Sequence, residues 1–240
     1  MASRIVLIHG FAQTGACWGP LPERLRSLGY DVATPDVAGF GGSSRPAGDL
    51  PTSARLLAEE FGSAIYLGYS FGGRIALRLA WDHPEVVAGL ALLGATAGLE
   101  DPEERQARRL ADEALADQIE ADGVAAFIDR WLALPLFAGV PARFAYRTER
   151  LVNRAENLAA SLRLAGTGAQ EPLWGRLGGV AGNVLVAAGA LDTKFATVAL
   201  RLARELPAAR TVFIPGAGHT AHLEQPDRFA AVVEAWLASL

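Results

Sequence analysis

The residues best placed to do chemistry in this chain are Gly68-Tyr69-Ser70-Phe71-Gly72. A serine with glycines two positions before and after it fits a turn too tight for larger neighbours. Such a turn holds the hydroxyl clear of the backbone. A serine hydroxyl is a poor nucleophile or base until a histidine can take its proton. The chain has four histidines, His9, His83, His219 and His222. His9 closes an apolar run, and His83 precedes Pro84 at a helix end, where a cap or surface role is the simpler account. His219, in the loop Gly216-Ala217-Gly218-His219 after the last apolar run, is read as the proton acceptor. His222 follows three residues later. A third group must accept the other imidazole N–H and fix its tautomer. Asp192, in Gly189-Ala190-Leu191-Asp192, fits that role; Asp36 is the rival and is read as organising its own loop. The backbone N–H groups of Phe11 and Phe71 would form an oxyanion hole. A core role for the Phe11 ring is compatible with this, because the side chain does not supply the N–H.

These residues need a scaffold, and the hydrophobic pattern supplies one. Apolar runs at 4–8 and 64–67 read as buried strands, and 31–34, 88–93, 183–188 and 210–214 read as further strands. Helical spacing occupies 20–28, 52–61, 73–81, 197–206 and 226–240 between and after them. Alternating strands and helices predict an α/β fold with a mostly parallel sheet covered on both faces. From Pro102 to about Leu164 the strand pattern stops, and charged residues interleave with apolar ones at helical spacing. We read one domain over 1–240, with a core of 1–98 and 166–240 and a helical cap over about 99–165. The cap would sit over the carboxyl edge of the sheet, where open α/β folds place their sites.

Composition narrows the function classes. Of 240 residues, 51% are hydrophobic and 20% charged, and the formal charge of -4 gives no reason to expect nucleic acid or an anionic membrane as partner. No apolar run approaches the ~18 residues of a membrane span. The first eight residues run directly into a strand, so no signal peptide is expected. The one cysteine, Cys17, cannot form an internal disulfide, which suits a cytoplasmic setting. No metal or organic cofactor is implied, since there is no ligand cluster, phosphate-binding loop or dinucleotide fingerprint. Lys194 stands out as the one lysine against 21 arginines. It reads either as a site where arginine's planar fork will not fit or as chance retention on a surface turn.

The order Ser70, Asp192, His219, each just past a strand, resembles the α/β-hydrolase fold over nearly the whole chain. A closer resemblance rests on several stretches together: Gly68 to Arg74, Glu103 to Arg109, Trp131 with Pro135-Leu136-Phe137, Gly166 to Trp174, Asp192-Thr193-Lys194-Phe195, and Gly218 to Glu224. Together they resemble the 2-succinyl-6-hydroxy-2,4-cyclohexadiene-1-carboxylate synthase family of menaquinone and phylloquinone synthesis. Those enzymes are lyases that use the hydrolase triad. The chain departs from some relatives at Leu132, where they carry a tyrosine.

That resemblance implies a small polycarboxylate substrate and elimination of pyruvate from a cyclohexene. Ser70 would act as base, His219 as proton acceptor and Asp192 as its orienter. It also implies that Arg74, Arg108, Arg150, Tyr69, Trp131 and Trp174 contact substrate. Arg74, in the first turn of the helix that leads out of the Ser70 turn (the elbow helix), opposes the helix dipole by ~0.3–1 kcal/mol, which a nearby anion would explain. Arginine pairs with carboxylates through two N–H bonds. For Arg108 the plainer account is a solvated helix face paired with Glu104. Trp131 and Trp174 would either pack on a ligand ring or fill the junction between cap and core. The rivals are a carboxylesterase or C–C bond hydrolase with the same triad as nucleophile, and a ligand receptor without turnover. Oligomeric state is not legible from the sequence.

Overall fold

The computed structural model describes residues 3–240. Six strands form one wholly parallel sheet: β1 (Arg4–Ile8), β2 (Asp31–Ala33), β3 (Ala64–Tyr69), β4 (Val87–Leu93), β5 (Val184–Gly189) and β6 (Ala209–Ile214). Their order is β2-β1-β3-β4-β5-β6, so the winding reverses between β1 and β3. A parallel sheet needs cover on both faces, and successive side chains supply it by alternation. Val6, Ile8, Tyr66, Leu90, Leu92 and Val186 point into one apolar cluster. It also takes in side chains of α2 (Leu50–Phe61), α3 (Phe71–Asp82) and α7 (Thr193–Glu205). Ile5, Leu7, Ile65, Leu67, Leu185 and Ala187 point into the other, with α1 (Leu21–Ser27) and α9 (Pro226–Leu237).

Between β4 and β5 the chain is helical, as the pattern predicts: α4 (Pro102–Leu132), α5 (Arg147–Arg150), α6 (Ala155–Ala165) and short 3₁₀ turns. The α4 helix breaks at Gly123, whose φ of 80° lies outside the helical region. Two glycines of Gly166-Thr167-Gly168 let this insertion pack tightly. A Cβ on Gly168 would sit 2.4 Å from the Arg109 nitrogen, and one on Gly166 2.5 Å from an Asp112 oxygen. Among the described residues no helix is long and apolar enough to cross a membrane.

Some boundaries differ from the pattern. β3 runs on to Tyr69 and α3 begins at Phe71, because Gly72 and Gly73 are helical where glycine normally breaks a helix. They are needed for close approach: a Cβ on Gly72 would lie 2.0 Å from the Ile8 carbonyl oxygen. α7 starts at Thr193, four residues before the apolar spacing becomes visible, since Asp192 caps it by accepting from the Phe195 N–H at 3.2 Å. A four-residue helix, α8 (Ala221–Glu224), follows His219 and has no periodicity to announce it.

Candidate active site

The strand-to-helix turn after β3 forces Ser70 to φ 51° and ψ −106°, a conformation costly for a residue with a Cβ. Its N–H bonds the Leu93 carbonyl at 2.8 Å, anchoring the turn to β4. Gly68 must be glycine, because a Cβ there would stand 2.2 Å from the Gly72 oxygen. The result presents the Ser70 hydroxyl 3.1 Å from Nε2 of His219. The opposite ring nitrogen, Nδ1, lies 2.7 Å from Oδ2 of Asp192. With Asp192 accepting at Nδ1–H, Nε2 is the basic nitrogen facing serine. Burial works to raise the Asp192 pKa. The hydrogen bonds from His219 and the Phe195 N–H outweigh it and hold the carboxylate below its ordinary range. Asp192 therefore uses one oxygen to start α7 and the other to orient the imidazole.

Glu224, Gln13 and His9, none of them expected in this role, hold the loops around this trio, and Asp36 organises its own loop as expected. Glu224 of α8 accepts from the Gly218 N–H at 2.7 Å and the Thr220 N–H at 2.9 Å, the residues on either side of His219. It also accepts from the Thr220 hydroxyl at 2.8 Å. The loop after β1 is fixed by Gln13, whose Oε1 accepts from Gly10 N–H at 2.9 Å, and by His9. His9 Nε2 accepts from Val37 N–H at 3.1 Å and Nδ1 donates to the Gly10 carbonyl at 2.9 Å. Burial lowers the His9 pKa to about 4, so the ring is neutral and structural. Asp36 organises its own loop, accepting from Gly15 and Gly42 N–H at 2.7 Å each. The N–H groups of Phe11 and Phe71 have no protein acceptor among the described residues. Both residues line the same cavity as Ser70.

That cavity has a volume of about 1000 Å³ and lies between the sheet edge and the helical insertion. Its apolar wall includes Phe11, Phe71, Leu162, Phe195, Val198 and Trp131. Trp131 packs edge-on to Phe11 at 5.5 Å and against Phe137 at 5.8 Å, so it both fills the junction and faces the cavity. Its Nε1 is buried without a hydrogen-bond partner, as is the Ser161 hydroxyl, also on the cavity wall. Trp174 lines the cavity with Nε1 donating to the Gly98 carbonyl at 2.8 Å, and Arg201 stacks on its ring at 3.8 Å.

Among the described residues four cations face this space: Arg74, Arg108, Lys194 and Arg201. Arg74 is buried, only 7% exposed, yet meets only neutral acceptors. It donates to the Ala165 carbonyl at 2.8 Å and to Gln170 Oε1 at 3.3 Å. Burial, then the charge of Arg108, lowers its pKa to about 10, with Asp112 pulling the other way. A buried guanidinium without a carboxylate is costly, and an anionic ligand would relieve it. Arg108 pairs with Asp112 at 2.8 Å rather than with Glu104. That Asp112 carboxylate is itself buried, and its other oxygen accepts from the Gly168 N–H at 3.4 Å.

Two expected substrate contacts lie elsewhere. Tyr69 is on the opposite face of β3 from the cavity, because side chains alternate along the strand. Its ring is buried against His219 at 5.4 Å and His222 at 4.4 Å. Arg150 is 1% exposed and does not line the cavity. It donates to the Ala12 carbonyl at 3.0 Å and the Ala145 carbonyl at 2.9 Å, clamping the insertion to the loop after β1. Burial depresses its pKa as well.

A serine on a sharp strand-to-helix turn, with its histidine and aspartate past later strands of a parallel sheet, defines an α/β-hydrolase-type protein. A sequence profile of the Alpha/beta hydrolase family matches residues 5–232. Two relatives from Salmonella schwarzengrund and Salmonella paratyphi C bear the name 2-succinyl-6-hydroxy-2,4-cyclohexadiene-1-carboxylate synthase. Each is 33% identical, over 94% of this chain and 90% of its own length. A Bacillus subtilis relative, given that name provisionally, is 35% identical over 98% of this chain and 90% of its own. Among solved structures, MenH from S. aureus superposes with a TM-score of 0.92 at 29% identity, covering 99% of this chain and 94% of its own. An esterase from Thermogutta terrifontis superposes at 0.85 with 25% identity, over 100% and 90%. The chain belongs to the 2-succinyl-6-hydroxy-2,4-cyclohexadiene-1-carboxylate synthase family within the α/β-hydrolases.

Proposed function

We propose that this protein is a carbon–oxygen lyase of menaquinone or phylloquinone biosynthesis. It eliminates pyruvate from 2-succinyl-5-enolpyruvyl-6-hydroxy-3-cyclohexene-1-carboxylate, which carries three carboxylates. The proton to be removed is on the ring carbon bearing the succinyl group and is acidified by the neighbouring ketone. Ser70 abstracts it and relays a proton to His219, which Asp192 keeps in the productive tautomer. Negative charge builds on the ketone oxygen, where the N–H groups of Phe11 and Phe71 receive it. As the enolate collapses, the ring double bond shifts and the bond to the enolpyruvyl oxygen breaks. The leaving enolpyruvate becomes pyruvate on taking up a proton. On this reading a single α/β domain carries the chemistry, and residues 99–165 act as its cap.

The observation that carries the reading is Arg74, a buried arginine facing the cavity with only neutral partners. An esterase acting on neutral acyl groups gains nothing from an unneutralised guanidinium one helical turn past its serine. A polycarboxylate substrate supplies the missing anion. The test is a pair of assays on the purified protein: pyruvate release from the cyclohexene substrate, and hydrolysis of p-nitrophenyl acetate. Pyruvate release exceeding ester hydrolysis in kcat/KM is expected. Brisk ester hydrolysis with no pyruvate release would replace the lyase reading with the esterase one.

A further inference from the structure

We propose that Lys194 binds the terminal carboxylate of the substrate's succinyl chain and so sets specificity for it. The inference rests on the tricarboxylate reading above. Of the four cavity cations, Arg74 and Arg108 come from α3 and α4. Arg201 is already engaged by Glu100 at 2.6 Å and Glu205 at 3.1 Å. Arg150, expected from the resemblance to supply a third contact, is buried away from the cavity. Lys194 remains, exposed at the start of α7, and no ion pair engages it among the described residues.

Its position suits one carboxylate in particular. The Lys194 ammonium lies 5.8 Å from the centre of the Phe195 ring, which packs on the His219 ring at 4.5 Å. Lys194 therefore stands one aromatic ring away from the triad. With the succinyl ketone held at the Phe11 and Phe71 N–H groups, the terminal carboxylate lies two methylenes further on. Such a tail is flexible, and an ammonium, a point charge with three rotatable donors, follows it better than a planar fork does. This also accounts for a lysine here in a chain that otherwise uses arginine.

The alternative role is indirect. The Lys194 charge also helps hold Asp192 ionised, so it could act through the triad alone. The test compares wild type, Lys194→Met and Lys194→Arg in pyruvate release, with the pH profile of kcat and the melting temperature of each. The same assays are run on substrate methylated at the succinyl terminus. For Lys194→Met we expect KM to rise about tenfold or more, as for loss of a charged hydrogen bond. Its kcat and pH profile should stay nearly unchanged, and Lys194→Arg should fall between it and wild type. Methylation should impair wild type by a similar factor and impair Lys194→Met no further. The inference is overturned by an unchanged KM, by a shifted pH profile with KM unchanged, or by a full methylation penalty in Lys194→Met. Wild-type protein that releases no pyruvate would remove the lyase reading and this inference together. A loss in Arg74→Ala with Lys194→Met silent would remove this inference alone.

Discussion

The guanidinium of Arg74 donates to the carbonyl of Ala165 at 2.8 Å, joining the first turn of the elbow helix to the last residue of α6. One side chain thus ties the helix that presents Ser70 to the insertion that roofs the cavity. Neither of its hydrogen-bond acceptors is charged, and Asp112 acts on the guanidinium without a direct ion pair. If a substrate carboxylate completes the site, Arg74→Ala leaves that anion unpaired at a cost of ~2–5 kcal/mol. That is roughly 30- to several-thousand-fold in kcat/KM for pyruvate release, at ~1.4 kcal/mol per tenfold. Arg108→Ala, at a more exposed and already paired cation, should cost less and act mainly on KM. Hydrolysis of p-nitrophenyl acetate should be barely affected by either. Full lyase activity in Arg74→Ala would sink the assignment.

Ser70, His219 and Asp192 should behave as one unit. Ser70→Ala removes a hydroxyl at a position whose fold is set by the flanking glycines, so the circular dichroism spectrum should match wild type. Asp192→Asn keeps an oxygen to cap α7 but favours the wrong imidazole tautomer. Each should lower kcat by ~10⁴ or more, and the double variant should be little worse than either single one. Wild-type turnover by a folded Ser70→Ala protein would refute the triad.

Glu224 is expected to position His219 without touching substrate. Glu224→Ala would orphan the N–H groups of Gly218 and Thr220, at about 1–3 kcal/mol each if they stay buried. We expect a reduced kcat, a near-normal KM and a lower melting temperature, with Glu224→Gln restoring part of the loss. A variant with wild-type kcat would show that the loop holds its shape without the carboxylate.

Acid should destabilise this fold earlier than its carboxylates alone would dictate. Burial lowers the pKa of His9 to about 4. Burial and the charges of Arg150 and His219 lower that of His222 to about 3. Both folded values lie below the ~6.5 of an unfolded chain. Between those limits the unfolded state binds more protons, so stability falls as pH drops below about 6.5. The melting temperature should decline from pH 7 to pH 5. His222→Phe, which keeps a ring between Trp18 and Tyr69, should flatten part of that decline. An identical slope in the variant would exclude His222 as a contributor.

What the sequence settled by itself was local or periodic. The pattern located six strands: the four inner ones are apolar because a parallel strand covered on both faces must be, while the edge strands β2 and β6 are only partly buried and carry Asp31, Arg210 and Thr211. The glycines around Ser70 declared the turn, because no other residue clears the Ile8 and Gly72 carbonyls. The order of Ser70, Asp192 and His219, each just past a strand, was enough to propose a triad before any distance was known. Tertiary structure decided which side chains share a space. Tyr69 and Arg150 carry the right chemistry, but strand alternation turns one to the opposite face of the sheet and packing seals the other between the insertion and the loop after β1. Gln170 gave no local signal, since its partners Arg74 and Thr96 are far away in the chain. Asp112 and Glu224 have near partners, an i,i+4 arginine and the N–H groups of Gly218 and Thr220, but only the fold places those pairs beside the cavity and the triad. The same holds for Lys194: composition made it conspicuous, but its place on the cavity wall depends on α7 starting at Thr193, a start fixed by the Asp192 cap rather than by any hydrophobic period.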